Sequence, residues 1–406
     1  MKKAASEAKT KTIAEIEREE TAIVVKLDAI GDFIMTYSSF LELHSHYKKL
    51  ILICNKSTHE LAEKLAKDYH LFDAVVPIDM KKYSDNRAYR KEISKTLRSL
   101  ECDILLNMAY CRLITMEHIV SLISAKRKIT LSRDTHSKKL HLCDRIYDEI
   151  VDEAINEFEI CKDFHLLNAA FAHSQSVHSV LLNTAVDATE AVAPYLAILP
   201  QMSSLNVASL NLGEQYVIIS SGGSYVAKKW PHYAEVANYI LSTFPDCNVV
   251  LLGGPGDKAG NQAIYNAIRE ESRSHVKNLT AQYSLCDCIE IIRRSKAVIG
   301  NDTSYIHMAV MTGTKSVAVA GGWHWGRFLP YYLGLLVTTA NKGKAVWLPK
   351  TVLYRMDCFN CNGESKQCSK IHRAGDGQYP CIEKVGIEAV IRVVNNILRG
   401  DRKSVV

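Results

Sequence analysis

Several features that would mark a specialised protein are missing from these 406 residues. No run of the roughly 18 apolar residues needed to span a bilayer occurs. The opening stretch MKKAASEAKTKTIAEIEREE has no apolar core of the kind a secretory signal carries, so the expectation is a cytoplasmic protein. Residue-level repeats and low-complexity tracts are absent, which excludes fibrous and solenoid architectures. Charge of one sign is scarce. The 50 Lys+Arg against 44 Asp+Glu leave a formal +6, which suits an anionic small molecule or an acidic membrane surface as well as nucleic acid and selects no partner by itself. Neither the G-x-G-x-x-G fingerprint of dinucleotide binding nor the P-loop pattern is found.

What is present is ordinary globular material. The 47% hydrophobic content suffices for a large core, and the length suits two domains of about two hundred residues each. The first twenty residues are charged and Ala-rich without Gly or Pro and read as an exposed helix or tail. From Thr21 an apolar run (AIVVKL), the loop DAIGD and an apolar-periodic stretch from Phe33 to Tyr47 read as strand, loop and helix. The same unit recurs. KLILIC at 49–54 precedes a helix near 57–69, DAVVPI at 73–78 one near 85–99, and DILLNM at 103–108 one near 115–125.

A Pro-, Ser- and Asn-rich stretch over 196–214 reads as a linker between domains at 21–195 and 215–383. In the second domain YVIIS at 216–220 leads to a helix from His232, CNVVLLGG at 247–254 to one from Lys258, and KAVIGN at 296–301 to one from Tyr305. KSVAVAGG at 315–322 ends in a loop, 356–382 forms a Cys-rich insertion, and 384–406 holds a C-terminal helix, VGIEAVIRVVNNILRG. Strands alternating with helices predict two α/β, Rossmann-like doubly wound domains whose parallel sheets are covered on both faces. In such sheets ligands bind beyond the carboxyl ends of the strands, so two facing domains give one central cleft.

Three loops after strands hold unusual residues. In Asp28-Ala29-Ile30-Gly31-Asp32, Gly31 permits close backbone approach and Asp32 is a candidate general base, with helix capping by Asp28 or Asp32 as the alternative. In Ser220-Ser221-Gly222-Gly223-Ser224, small residues free backbone N–H groups for an anion. Lys228 and Lys229 add positive charge there, and Pro231 suits the first turn of the next helix; a plain tight connection would look the same. In Gly300-Asn301-Asp302-Thr303-Ser304, with His307 beyond, polar side chains and a helix N-terminus converge on the cleft, although Asp, Thr and Ser there are also what an N-cap shows. Gly253 and Gly254 follow another strand, and Tyr110 and Arg112 lie beyond 103–108, either facing an acceptor or in a solvated loop.

Eight of the twelve cysteines, Cys54, Cys102 and Cys286 among them, lie in segments that read as core and are expected to be reduced and mostly structural. Cys358, Cys361, Cys368 and Cys381 cluster instead near the C-terminus. Such a set suits tetrahedral zinc or iron, with two disulfides or free thiols as alternatives, and its role would be structural.

In order and spacing, VVKLDAIGDFIMT, SSGGSYVAKKWP, VVLLGGPGD, NLTAQYSL and VIGNDTSYIHMAVMTGTKSVAVAGG resemble glycosyltransferase family nine, the lipopolysaccharide heptosyltransferases, over about residues 22–395. The resemblance implies a GT-B fold and inverting, metal-independent transfer of heptose or a related sugar from a nucleotide-diphosphate donor such as ADP-heptose. The implied acceptor is a lipopolysaccharide core or another glycan; a surface adhesin as protein acceptor, a nucleotide-sugar epimerase and a non-catalytic binding protein are alternatives. No nucleic acid is implied, and a peripheral contact with the inner membrane is. Asp32 would be the base and Lys228 would stabilise the departing diphosphate. Gly31, Ser220, Gly222, Gly223, Lys229, Gly254, Asp302, Thr303, Ser304 and His307 would surround the donor, with Ser304 standing where the family pattern has Gly.

Overall fold

The structure, a computed structural model, describes residues 21–132, 138–152, 157–172, 192, 194–331, 347–359, 361, 368 and 379–400. The expected tail at 1–20, most of the Cys-rich insertion and the last six residues lie outside these.

The first half runs β1 (Thr21–Lys26), α1 (Ile30–Met35), α2 (Tyr37–His46), β2 (Lys49–Asn55), α3 (His59–Tyr69), β3 (Ala74–Ile78), α4 (Met80–Asp85), α5 (Arg87–Arg98), β4 (Glu101–Asn107), α6 (Ile114–Ser121), β5 (Ser124–Leu131), α7 (Lys138–Cys143), β6 (Glu149–Val151) and α8 (Glu159–Phe171). The second runs β7 (Gln215–Ser220), α9 (Tyr233–Thr243), β8 (Cys247–Leu251), α10 (Lys258–Asn266), β9 (Val276–Asn278), α11 (Leu285–Arg294), β10 (Ala297–Asn301), α12 (Ser304–Thr312), β11 (Ser316–Ala320), β12 (Lys350–Leu353), α13 (Pro380–Glu383) and α14 (Ile387–Arg399).

Each half forms a six-stranded sheet, in the orders β3-β2-β1-β4-β5-β6 and β12-β11-β10-β7-β8-β9, with every strand pair parallel. The two orders are the same topology. In each, the chain reverses direction between the first and fourth strands, β1/β4 and β7/β10, and the loops leaving that switch point form a natural ligand crevice. The expected strands are present. Residues 124–131 form β5, however, where the sequence pattern extended a helix to 125. The stretch expected as one helix from Phe33 is α1 and α2, broken at Thr36, whose hydroxyl donates back to the Asp32 carbonyl. Pro231 lies just ahead of α9, with His232 at the N-cap, and is not in the helix's first turn. No described helix is long and apolar enough to cross a membrane.

The two domains are held face to face. α1 packs on α12, and both contribute to one core cluster that also takes α2, α3, α8 and α11. Glu60 of α3 accepts the Leu285 and Cys286 N–H groups, placing a carboxylate on the positive end of α11 in the other domain. Arg293 and Glu290 of α11 pin the linker through Leu199, Pro200 and Met202. A second core lies under α9 and α14, and a third between the first sheet and α4, α5 and α6.

Asn301, fully buried at the end of β10, ties the loops after β7 and β10 together. Its amide donates to the Ser221 and Gly222 carbonyls at 2.7 and 2.9 Å. Its oxygen accepts from Trp230 N–H at 3.1 Å and the Tyr233 hydroxyl at 2.7 Å. Asn301→Ala removes all four partners at once. We expect it to lower the unfolding free energy in urea by roughly 2–5 kcal/mol, at about 1–3 kcal/mol per buried group left unpaired. A change below about 1 kcal/mol would show that these loops are held by something else.

Candidate active site

A cleft of about 1120 Å³ opens between the carboxyl ends of the two sheets. All twelve cleft residues picked from the sequence line it: Gly31, Asp32, Ser220, Gly222, Gly223, Lys228, Lys229, Gly254, Asp302, Thr303, Ser304 and His307. They come from both switch points, since Asp32 follows β1, Ser220 ends β7 and Asp302 follows β10.

On the first domain, Gly31 lies against the second. A Cβ at Gly31 would stand 3.1 Å from the His307 ring and 3.5 Å from the Ser304 backbone, so an alanine there would require the imidazole to give by a few tenths of an ångström. Asp32 sits in the first turn of α1 and accepts the Ala29 N–H at 3.0 Å, so it does cap the helix, yet it also faces the cleft. Burial, and after it the neighbouring Asp28, pushes its carboxyl up to about 7 against the opposing pull of Lys26 and Lys228.

Behind it lies a buried charged network. The Lys26 ammonium donates to the Met108 carbonyl at 2.8 Å, pairs with Asp28 at 3.3 Å and lies 3.1 Å over the Tyr110 ring. Tyr110 donates its N–H to Asp28 and its hydroxyl to Asp163, whose carboxyl burial also raises to about 7. Tyr110 thus lines the cleft as one sequence alternative had it. Arg112 does not. It is buried, bonded to Glu117 at 2.6 Å and Asp144 at 3.0 Å, and neither faces an acceptor nor lies in a solvated loop.

On the second domain, Lys228 Nζ lies 3.0 Å from Asp302 Oδ2 and 3.2 Å from the Asp302 carbonyl. Burial alone would raise the Asp302 carboxyl, but Lys228 and then His307 outweigh it and hold it below the usual value. His307 receives or gives a hydrogen bond at Tyr331 through Nδ1 at 2.7 Å, and burial lowers it to about 4, so it is neutral near pH 7. Thr303 is the N-cap of α12, yet its hydroxyl makes no cap bond and is buried without a partner. The Ser220 hydroxyl and Asp302 Oδ1 likewise make no hydrogen bond, with His307 Nε2 lying 3.7 Å from Asp302 Oδ1. Buried polar atoms are normally satisfied, so a row of orphans along one cleft is the pattern of a ligand site.

Sequence reasoning missed two groups here. Asp257, at the end of the quoted GGPGD, accepts the Gly254 N–H at 2.8 Å, and a Cβ at Gly222 would lie 2.5 Å from its carboxylate. The glycines of both loops therefore make room for an acid as well as for a ligand. The other group is the loop after β11. Trp323, His324 and Phe328 form an aromatic wall with Tyr225, whose ring lies 4.6 Å from Trp323, and the Trp323 Nε1 and His324 Nδ1 atoms are buried without partners. Arg327 of this loop bonds Glu159 of α8 at 2.5 Å, which closes the back of the cleft. The only advance signal was the aromatic density of GGWHWGRF.

The four clustered cysteines lie outside the cleft lining but next to this wall. Cys381 Sγ would be 3.1 Å from a Cβ at Gly321, and Phe359 packs on Gly322 and Trp325. The Cys381 thiol is raised by burial and then by Cys361, Cys368 and Cys358, so those three lie within electrostatic reach of it. All four are free thiols, and among the described residues no three His, Cys, Asp or Glu side chains form a metal-holding group. Of the other eight, six are buried as expected, Cys143 is half-buried, and Cys111 is exposed on the cleft.

Comparison with known proteins gives a consistent picture. Residues 90–343, more than half of the chain, match the family model described as glycosyltransferase family 9 (heptosyltransferase). Lipooligosaccharide heptosyltransferase 2 of Haemophilus influenzae is 28% identical over 137 residues, 32% of this chain and 39% of the relative, so the match spans under two thirds of that protein. Among solved structures, E. coli ADP-heptose lps heptosyltransferase II superposes with a TM-score of 0.61 at 14% identity, covering 94% of this chain and 99% of that one. The dodecameric iron-containing heptosyltransferase TibC of enterotoxigenic E. coli, in complex with ADP-D-beta-D-heptose, gives 0.52 at 14% identity, covering 94% and 77%. At such identities the structural likeness establishes the fold, which is GT-B.

The raised Asp32 carboxyl carries a stability signature. The folded chain keeps a proton there that the unfolded chain, at the ordinary 3.8, has already released, so stability is lost as the pH rises from about 4 through about 7. Asp32→Asn cannot ionise and escapes that loss. Calorimetry should find the variant more stable than the wild type by roughly a few degrees near pH 8 and equal to it near pH 4; the same difference at both would mean that Asp32 does not titrate anomalously.

Proposed function

The chain belongs to glycosyltransferase family 9, and from that membership and the cleft we propose that it transfers heptose or a related sugar, with inversion, from a nucleoside-diphosphate donor of the ADP-heptose kind to a lipopolysaccharide-core acceptor. The observation that carries the reading is the convergence of Asp32 from one domain on the Lys228–Asp302 pair of the other, along a cleft with unpartnered buried polar atoms. The names of the matched relatives, lipooligosaccharide heptosyltransferase 2 and ADP-heptose lps heptosyltransferase II, support the sugar and the acceptor class.

In this reading Asp32 removes the proton from an acceptor hydroxyl, whose oxygen attacks the anomeric carbon from the face opposite the diphosphate. The bond from that carbon to the diphosphate oxygen breaks, and the charge left on the diphosphate is taken up by Lys228, Lys229 and the N–H groups of the Ser220–Gly223 and Gly254 loops. A base near pKa 7 is matched to this work, being ionised in useful amount while still a competent proton acceptor. Lys228 is poised for it because its resting partner, Asp302, sits at the head of α12 with Thr303, Ser304 and His307, where the donor sugar would bind. Asp302 and the neutral His307 would hold sugar hydroxyls, and the free Thr303 hydroxyl would bond the sugar or phosphate.

The four thiols would hold a structural zinc or iron ion. Soft thiolates suit either metal, and TibC, which shares this fold, is iron-containing. Among the described residues no three of these side chains stand together as an ion-holding group, and no catalytic step is assigned to such an ion. Its contribution would be to pin the segment that supports the aromatic wall.

Asp32→Asn should lower kcat by about 10²–10⁴-fold while the donor Kd, by calorimetry, stays within about twofold. Lys228→Ala should lower kcat by about 10²–10³-fold. For the wild type, kcat/KM should rise as the pH passes about 7 and level off above it; a flat profile across that range would remove Asp32 as the base. For the cysteines, elemental analysis of the purified protein should find about one zinc or iron per chain, lost in Cys358→Ser/Cys361→Ser. Absence of metal from protein purified without chelator would dismiss the metal site.

A further inference from the structure

The loop after β11 continues from His307 as a row of aromatic rings to which the chemistry at Asp32 and Lys228 gives no task. Between ring centroids, His307 lies 6.4 Å from Phe328, Phe328 5.4 Å from His324, His324 5.2 Å from Trp323, and Trp323 4.6 Å from Tyr225. The row begins beside the proposed catalytic groups. Lys228 Nζ stands 5.5 Å from the centre of the Phe328 ring, and Tyr110 of the first domain meets the same ring at 6.4 Å. It ends in the open, where Tyr225 is 54% exposed, and all of these rings line the cleft.

Packing alone does not account for the row. Trp325 of the same loop shows what packing looks like: its ring meets Phe359 at 5.6 Å and stays out of the cleft lining. Trp323 and His324 instead face the cleft, and Trp323 Nε1 and His324 Nδ1 are buried without a hydrogen bond among the described residues. A buried indole N–H normally finds an acceptor. Burial, and then Lys228 and Arg327, lower the His324 imidazole to about 3, so the wall is uncharged near pH 7 and offers no charge to a phosphate. Flat apolar faces with a few hydrogen-bonding groups at their edges match a sugar ring, which has C–H faces and a rim of hydroxyls.

Strand order decides which sugar ring that is. The second sheet runs β12-β11-β10-β7-β8-β9, so the glycine loop after β7 and the head of α12 after β10 lie in the middle. Gly254, Asp257, Ala281 and Tyr283 line the cleft after β8 and β9 on one side, and Trp323, His324 and Phe328 line it after β11 on the other. A nucleoside diphosphate seated on the middle loops, with its sugar at Asp302 and His307 after β10, turns its nucleoside toward β8 and β9. The rings then stand beyond the sugar to be transferred. We propose that Phe328, His324, Trp323 and Tyr225 form an acceptor subsite, on which a sugar ring of the acceptor glycan stacks while its hydroxyls bond the Trp323 and His324 nitrogens. The subsite rests on the glycan acceptor proposed above and adds that the second domain, besides holding the donor, binds the acceptor.

The test is calorimetric titration of lipopolysaccharide core oligosaccharide, freed of its lipid, into the full chain saturated with ADP. The wild type should bind it. Tyr225→Ala and Trp323→Ala should each weaken that binding by roughly 3–10-fold, whereas Tyr225→Phe, which keeps the ring, should bind like the wild type. The KM for the oligosaccharide should rise in the two alanine variants. ADP titrated into the same variants should bind as it binds the wild type, which also reports that they are folded. A parallel fall in ADP affinity would make the wall a nucleoside site and overturn the proposal. Oligosaccharide binding unaltered in both alanine variants overturns it too, and leaves the catalytic reading standing. A wild type that binds ADP but no oligosaccharide overturns the subsite and the acceptor class together, and one that binds neither overturns the catalytic reading with them.

Discussion

Everything at the cleft depends on how closely α1 can approach α12. A helix from one domain meets the first turn of a helix from the other, and at Gly31 the contact against His307 leaves only tight room for a Cβ. The next residue along α1 is Asp32. The contact that joins the domains thus also fixes the distance from the first domain's carboxylate to the second domain's lysine and acid. Two sheets of the same winding, each with its switch point turned toward the other, bring seven loops to one place, and the glycine lets the two domains meet closely there.

Such closeness concentrates charge. Lys26, Asp28, Asp163, Glu159, Lys162 and Arg327 are all largely buried behind the cleft, and ion pairs of this kind contribute little net stability once desolvation is counted. Their value is positional. Lys26 is held on three sides, by Asp28, the Met108 carbonyl and the Tyr110 ring, and Tyr110 is fixed in turn by Asp28 and Asp163. Asp28 satisfies this lysine and at the same time pushes the Asp32 carboxyl up, so one acid supplies both the rigidity and the tuning. On the other side Lys228 does the reverse for Asp302, keeping it ionised despite burial. Neighbouring carboxylates with opposite shifts are the usual basis for a division of labour between proton transfer and binding.

The fold was largely legible because buried parallel strands read as short apolar runs closed by Gly, Asp or Asn, and the cleft residues were legible because they fill the loops directly after those runs. β5 escaped because a strand with Lys126, Arg127 and Lys128 lacks that apolar signature; Arg127 is satisfied by Glu149 of β6 and by carbonyls of α8, partners that a linear reading does not supply. Thr303 marks a different limit. A threonine at a helix start reads as a cap, and only the position of its hydroxyl, turned from the backbone and left without a partner, separates capping from ligand binding. Asp32 resists the distinction altogether, since one of its oxygens caps α1 while the carboxylate still faces the cleft.

The aromatic wall could not be read in advance because what gives it shape lies far away in sequence. Gly321 and Gly322 let Cys381 and Phe359 press against the loop from behind, while Arg327 ties its far end to Glu159 on the opposite domain. His324 is in the positive-φ region at φ 60°, which is uncommon outside glycine although histidine enters it more readily than most residues. The loop is therefore clamped between the cysteine cluster and the domain interface, with its unpartnered Trp323 and His324 nitrogens facing the cleft. Of the four clustered cysteines, Cys381 touches this loop at Gly321, so the cysteine-rich segment bears on the shape of the wall.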